Sequence, residues 1–254
     1  MCSSDLAIAF LSVLILCLFF RNSASFVPLL ISILVVFSLI LSCGILFLKL
    51  QYFYPAVYRN TAKEVILTFD DGPDPVYTDR VLDILKKYNI KALFFLIGDK
   101  AAAHPEIVQR LLSEGHRIGN HTQTHPIFFA LYSRKKLALE IDRASATLEA
   151  LSGEPVPLFR PPIGYMNPSI ASVLKKRKLK IIGWNVRSYD SFKNKEQLLA
   201  RLTRLIRNNS IVLLHDNLPH TSEVLEETIL RAQANGIIFA NEEQLKTFIH
   251  ETLR

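Results

Sequence analysis

Apolar residues follow two regimes along this chain. Up to about residue 50 they run together: residues 6–20 carry no charged side chain, and residues 26–48 form a longer uncharged run. At 1.5 Å per residue a helix over the second run is about 34 Å long, enough for a hydrocarbon core of about 30 Å, whereas the first, at about 22 Å, spans only marginally. Beyond residue 60, short apolar runs alternate with segments of helical period. The pattern predicts strands over 65–69, 92–97, 117–120, 158–160, 180–186, 211–215 and 237–240. It predicts helices over 78–88, 105–114, 133–151, 168–176, 195–207, 221–234 and 242–253. Pro105 and Pro168 sit where a first helical turn tolerates proline, and Gly236 where a helix stops. Alternating strands and helices imply a parallel α/β fold, and one unit fewer than the eight of a closed barrel implies an incomplete one.

The two apolar runs are joined by Arg21-Asn22-Ser23-Ala24-Ser25. These residues read as the turn of an uncleaved helical hairpin. The small Ser23 and Ser25 would also suit a signal-peptidase site, but the region before them has Asp5 and no Lys or Arg. Residues 1–50 are therefore expected to be a membrane anchor, with spans at 6–20 and 26–48. Residues 51–62 are expected to be a connector whose Tyr52, Phe53, Tyr54 and Tyr58 suit a membrane interface. Residues 63–254 are expected to be one domain. A hairpin puts that domain on the side of the N-terminus, and Arg21 against Lys49, Arg59 and Lys63 then favours the cytoplasmic face.

Charge and cysteines change the picture little. The formal net charge is +7, and the densest basic cluster is Lys175-Lys176-Arg177-Lys178 with Lys180. A solvated helix end explains it, with attraction to anionic lipid or glycan as the sharper alternative. No nucleic-acid motif accompanies it, and no nucleic-acid partner is expected. Cys2, Cys17 and Cys43 all precede the predicted domain, which therefore has neither a disulfide framework nor a thiolate metal site.

The candidate chemistry lies at strand ends. Val65-Ile66-Leu67 runs into Thr68-Phe69-Asp70-Asp71-Gly72-Pro73. In a regular strand the two acids would point to opposite faces, so the Gly-Pro break is what lets both approach one site. His121 and His125 are four apart, and a single turn ahead of Pro126 would put both imidazoles on one side. Two histidines at this spacing can equally be structural; with the acidic pair upstream, a metal site is the favoured reading. Asp71 would be its third ligand. Two imidazoles and a carboxylate leave positions open, the pattern of a catalytic site, and favour zinc among divalent ions. Asp70 is then the candidate general base and His215, ending the run Ile211-Val212-Leu213-Leu214, the candidate general acid.

In order and content these segments, with Asn120-His121-Thr122-Gln123-Thr124-His125, Arg160-Pro161-Pro162-Ile163-Gly164, residues 184–190 and His215-Asp216, resemble the polysaccharide deacetylase family. This is the NodB-homology, or carbohydrate esterase family 4, group. The resemblance covers residues 63–248. It implies a distorted (β/α) barrel, preceded here by the N-terminal transmembrane helices. It implies metal-dependent hydrolysis of the N-acetyl group of N-acetylglucosamine-type residues, releasing acetate. It assigns Asp70 as base and Asp71, His121 and His125 as ligands. Arg160 matches the arginine that pairs with the base, and Asp190 the acid that tunes the catalytic histidine. The Ile163 N–H matches an oxyanion donor, and Leu213 the pocket for the acetyl methyl. As an ordinary salt bridge or plain core packing, Arg160 and Leu213 would look the same in sequence.

The fourth motif departs from the family. Arg187 stands where an acid is usual and Ser191 where a tryptophan closes the motif, which removes a wall of the sugar groove but leaves Asp190. The reaction therefore carries over more firmly than the substrate. Partners implied are an N-acetylated glycan of the cell wall or surface, or its precursor, and the lipid bilayer. The resemblance points to an extracytoplasmic domain, against the charge count. A deformylase or other N-acyl amidohydrolase on a lipid-linked sugar, and a non-catalytic glycan-binding homologue, are the competing readings.

Overall fold

A computed structural model describes residues 8, 11–13, 15 and 26–254. The first apolar run, 6–20, and the turn after it lie almost wholly outside the described residues. Helix α1 (Phe26–Leu46) carries no charged side chain and is exposed along nearly its whole length. Its 21 residues make a helix of about 32 Å, long and apolar enough to cross a membrane.

The remainder is one curled parallel sheet wrapped in helices. In chain order the elements are β1 (Ala56–Val57), β2 (Ile66–Asp70), α2 (Tyr77–Lys87), β3 (Leu93–Leu96), α3 (Gly98–Ala103), α4 (Pro105–Ser113) and β4 (Arg117–Asn120). They continue with α5 (Arg134–Ser152), β5 (Leu158–Phe159), α6 (Pro168–Arg177), β6 (Lys180–Ile182), β7 (Val186–Arg187), α7 (Lys195–Leu205), β8 (Ile211–His215), α8 (Pro219–Ala234) and α9 (Glu242–Leu253). The sheet order is β1-β6-β5-β4-β3-β2-β8-β7, with every neighbouring pair parallel.

That order curls the sheet. β6 lies next to one edge and β7 is the opposite edge, yet only Gly183-Trp184-Asn185 separates them in sequence. Three residues span at most about 10 Å, so the two edges must come close and the sheet becomes an incomplete barrel. The run 180–186, expected as one strand, is therefore two strands on opposite sides of the gap. Three further differences concern positions set by long-range contacts. Ala56–Val57, inside the expected connector, pair with β6. Residues 237–240 form only an isolated bridge, Val65 with Phe239, and α3 was not foreseen.

Strand periodicity sorts the side chains. Leu67, Phe69, Val212 and Leu214 face the helices in the largest apolar cluster, where Phe69 stacks on Phe94 with ring centroids 5.0 Å apart. The alternate positions, Thr68 and Asp70 on β2 and Leu213 and His215 on β8, face the other way, toward the barrel interior. Register sets Asp70 beside His215 and Thr68 beside Leu213. Every candidate side chain except those beyond the ends of strands is placed by this alternation.

Candidate active site

Asp70 is the last residue of β2, and Asp71 is the first beyond it, with φ +70°. The left-handed backbone at Asp71 is what cancels the alternation of a strand and turns the second carboxylate to the same site as the first. Asp71 Oδ1 stands 3.4 Å from His121 Nε2 and 3.3 Å from His125 Nε2. His121 leaves the end of β4 and is almost wholly buried. Its Nδ1 donates to the Arg160 carbonyl at 2.7 Å, which orients the ring with Nε2 toward Asp71.

The expected helical turn between the histidines is absent. Residues 121–126 form a loop with positive φ at Thr122 (+71°) and His125 (+50°). Thr122 N–H donates to the Asn120 side chain at 2.8 Å and His125 N–H to the Thr122 hydroxyl at 3.1 Å. The rings still meet, with centroids 4.8 Å apart. Proline at 126 and these side-chain bonds replace the helical ladder.

Three donor atoms from Asp71, His121 and His125 lie within 4.8 Å of one another. Asp71 Oδ1 is buried and accepts no hydrogen bond. A buried anionic oxygen without a donor is costly, and a cation among the three atoms would satisfy it. The donor set thus fits a divalent metal. Burial opposes ionisation of Asp71, but His121 and His125 beside it hold the carboxyl well below the usual carboxylate range.

Arg160, fully buried, fills the barrel interior. Its guanidinium donates to Asp70 Oδ1 at 2.7 Å, to the Thr68 hydroxyl at 2.8 Å, and to the carbonyls of Ile182 and Gly183 at 2.9 and 3.0 Å. Its face lies 4.1 Å from the Phe95 ring centroid. One carboxylate oxygen of Asp70 is therefore committed to Arg160, while Oδ2 faces the histidines, 3.8 Å from His121 Nε2. Three residues beyond Arg160, Ile163 has φ +61°, and its N–H has no hydrogen-bond partner among the described residues.

On the other side of the barrel gap, His215 Nδ1 is 2.7 Å from Asp190 Oδ1, and the His215 backbone N–H donates to Asp190 Oδ2 at 2.8 Å. Thr221 donates to the same oxygen at 2.9 Å. Burial would lower the imidazole pKa, but the Asp190 carboxylate outweighs it and pushes it up to about 9. Leu213 is buried yet belongs to none of the large apolar clusters, as befits a side chain on the interior face.

Arg187, where an acid was expected from the resemblance, stacks on the Tyr189 ring at 4.9 Å and reaches Trp184 at 5.8 Å. Arg201 lies over Tyr189 at 4.8 Å. Several supporting residues escaped the sequence reading. Thr68 and Thr221 hold Arg160 and Asp190, and Lys100 donates to the Asp71 carbonyl at 2.7 Å. Asp216 is fully buried, takes the Thr78 hydroxyl at 2.6 Å, and packs against Gly72 so closely that a Cβ there would stand 2.3 Å from its Oδ2. Burial pushes its carboxyl up to about 7. None of these is at a spacing that marks it; only the His215-Asp216 pairing gave a signal.

Comparison with known proteins adds three findings. The sequence profile described as Polysaccharide deacetylase matches residues 58–182. A peptidoglycan-N-acetylglucosamine deacetylase of Bacillus cereus is 33% identical over 198 residues, covering 75% of this chain and 92% of that protein. Among solved structures, the peptidoglycan deacetylase PdaC from Bacillus subtilis superposes with a TM-score of 0.68 at 31% identity, covering 75% of this chain and 93% of that one. A CE4-family pseudoenzyme from Bacillus anthracis superposes with a TM-score of 0.67 at 27% identity, covering 79% and 69%.

Proposed function

Since the chain belongs to the polysaccharide deacetylase family, we propose that it is a zinc-dependent N-deacetylase that removes acetyl groups from N-acetylhexosamine residues of peptidoglycan or its membrane-borne precursor. The class of reaction, hydrolysis of a C–N bond other than a peptide bond, comes with the family. The observation that carries the residue assignment is the convergence of Asp71, His121 and His125 within 4.8 Å around an unsatisfied buried oxygen, beside an Asp70 already paired to Arg160.

Asp71, His121 and His125 would hold the metal. When bound, a divalent ion polarises the acetamide carbonyl and lowers the pKa of water, in favourable cases from about 15.7 to about 7. Asp70 takes the proton of the attacking water on Oδ2; Arg160, through Oδ1, fixes this carboxylate in rotation. The Ile163 N–H, without a partner among the described residues, donates to the oxygen of the tetrahedral species; one such donor is worth about 10²–10³ in rate. Leu213 lines the space for the acetyl methyl. His215, kept protonated by Asp190, gives its proton to the departing amine nitrogen. On this reading helix α1 anchors the domain to the membrane, and the cell-wall substrates named for its relatives favour a domain outside the cytoplasm.

The pseudoenzyme among the structural neighbours makes retention of these side chains, rather than the fold, the point to test. Purified protein should release acetate from N-acetylglucosamine oligomers or peptidoglycan fragments, lose that activity to a chelator and regain it with zinc. Asp70→Asn should leave zinc binding intact and lower release by about 10²–10⁴-fold. Turnover persisting in Asp70→Asn at the wild-type rate would refute the assignment.

A further inference from the structure

Helix α1 is not tethered by a free linker; its last turn is built into the domain beside the candidate metal centre. The Met166 N–H donates to the Ile45 carbonyl at 3.1 Å. Gly44 lies so close to the Tyr52 ring that an added Cβ would stand 2.9 Å from its Cδ1. Leu48, just past the helix, is buried in one cluster with Phe129, Met166 and Ile170. Met166 follows Ile163 by three residues, and Phe129 follows His125 by four. The Asn167 side chain donates to the Ala130 carbonyl at 2.5 Å. The foot of α1, the loop after Arg160 and the loop after His125 thus form one packed unit.

That unit presents apolar side chains outward. Ile127, Phe128 and Leu131 are 71%, 68% and 81% exposed. At the foot of α1, Leu46, Phe47 and Leu50 are exposed as well. Large apolar side chains clustered in solvent mark a contact surface. Arg134, Lys135 and Lys136 follow at once, all exposed. An apolar tip flanked by cations suits the boundary between acyl chains and anionic headgroups. Continuity with an apolar helix of membrane-spanning length favours lipid over a protein partner as the occupant.

We propose that the loop 126–131 is a second membrane contact, which together with α1 holds the metal centre against the bilayer, so that the enzyme acts on N-acetylated sugars carried at the membrane surface. The proposal rests on the reading of α1 as a membrane anchor. It explains why a metal ligand, His125, lies only two residues from an exposed Ile127.

Site-directed nitroxides on the full chain in lipid nanodiscs containing phosphatidylglycerol test it. Cys2, Cys17 and Cys43 are replaced by serine, and single labels are placed through Phe128→Cys, Leu131→Cys, Val35→Cys in α1 and Gln233→Cys as an aqueous reference. Collision with oxygen against a water-soluble nickel chelate reports depth. The expected result is lipid-like accessibility at 35, interfacial or deeper accessibility at both 128 and 131, and aqueous accessibility at 233. Lipid at 35 with 128 and 131 indistinguishable from 233 overturns the second contact while leaving the anchor standing. Aqueous accessibility at 35 overturns the anchor reading and this proposal with it.

Discussion

The two halves of the site are built to different standards of rigidity. The half around Asp70, Asp71, His121 and Arg160 hangs on the central strands β2, β4 and β5, and Arg160 ties it together with four hydrogen bonds across the barrel interior. The half around Asp190 and His215 borders the barrel gap. His215 ends a central strand, but Asp190 sits on a short loop between Tyr189, with φ +59°, and Phe192, 83% exposed. On the proposed assignment the first half would bind metal and activate water. The second combines a fixed acid with a wall that here carries Arg187 and Ser191 in unusual places. Metal binding and water activation are thus assigned to one region, proton donation and the sugar-groove wall to another, and substitutions should separate them.

The largest effect belongs to the rigid half. Asp70→Asn removes the proton acceptor without changing shape, and kcat should fall by about 10²–10⁴-fold, the usual worth of general-base catalysis. Steady-state acetate release measures this. Next comes Arg160→Met. It strands a buried carboxylate, which typically costs about 3–5 kcal/mol. At about 2–4 °C per kcal/mol for a domain of this size, the melting temperature should drop by roughly 6–20 °C in calorimetry. An unchanged melting temperature would mean that the pair is solvated and the interior less tightly built than it looks.

Zinc should distinguish the halves in equilibrium terms. A ligand at a hundred times its Kd stabilises by about 2.7 kcal/mol. Adding zinc to the chelated protein should therefore raise its melting temperature. Asp71→Asn should abolish that rise, whereas Asp190→Asn should retain it, because Asp190 belongs to the other half.

How much of this was legible in the sequence cuts across that division and follows how local each signal is. Asp70, Asp71, His121, His125 and His215 announce themselves because each closes an apolar strand or follows one at close spacing, and local pattern suffices to read them. Arg160 and Asp190 required the family resemblance, since a lone arginine before Pro-Pro or an aspartate in a loop carries no local mark. Thr68, Thr221 and Lys100 were invisible, because their roles come from pairing across the barrel. The same physics explains the misplaced elements. Residues 180–186 carry enough apolar side chains to read as one strand, and only the closure of the sheet shows that they belong to two. Residues 56–57 look like linker until β6 is beside them. Docking of α1 through the Ile45 carbonyl had no sequence signal at all, being a backbone contact.

The pH profile probes the gap-side half. With its pKa at about 9, His215 is protonated, and able to donate, throughout the neutral range. Activity should fall as pH rises through about 9, and Asp190→Asn should move that limb to lower pH, because the burial that opposes charge remains while the largest opposing contribution is lost. Stability moves in the same sense. A histidine raised above its unfolded pKa of 6.5 contributes fully below that pH, and the contribution is lost as pH rises through about 9. Rate and melting profiles of the two proteins, recorded from pH 6 to about pH 10, measure both.

The smallest effect lies in the groove wall. Ser191 is exposed, follows Asp190 directly, and occupies the place of the family's tryptophan. Ser191→Trp would restore an aromatic face for a sugar ring without touching Asp190's bonds to His215 and Thr221. An aromatic contact is worth about 0.5–1.5 kcal/mol, so KM for soluble N-acetylglucosamine oligomers should drop by roughly three- to tenfold while kcat stays level. Tyr189, between Arg187 and Arg201, is the obstacle, since the new indole would compete with this stacked group for the same rim. A lower KM at constant kcat would show that this wall governs only substrate capture. A fall in kcat instead would show that the stack at Tyr189 helps to position Asp190, and that the two halves of the site are less independent than their separate scaffolds imply.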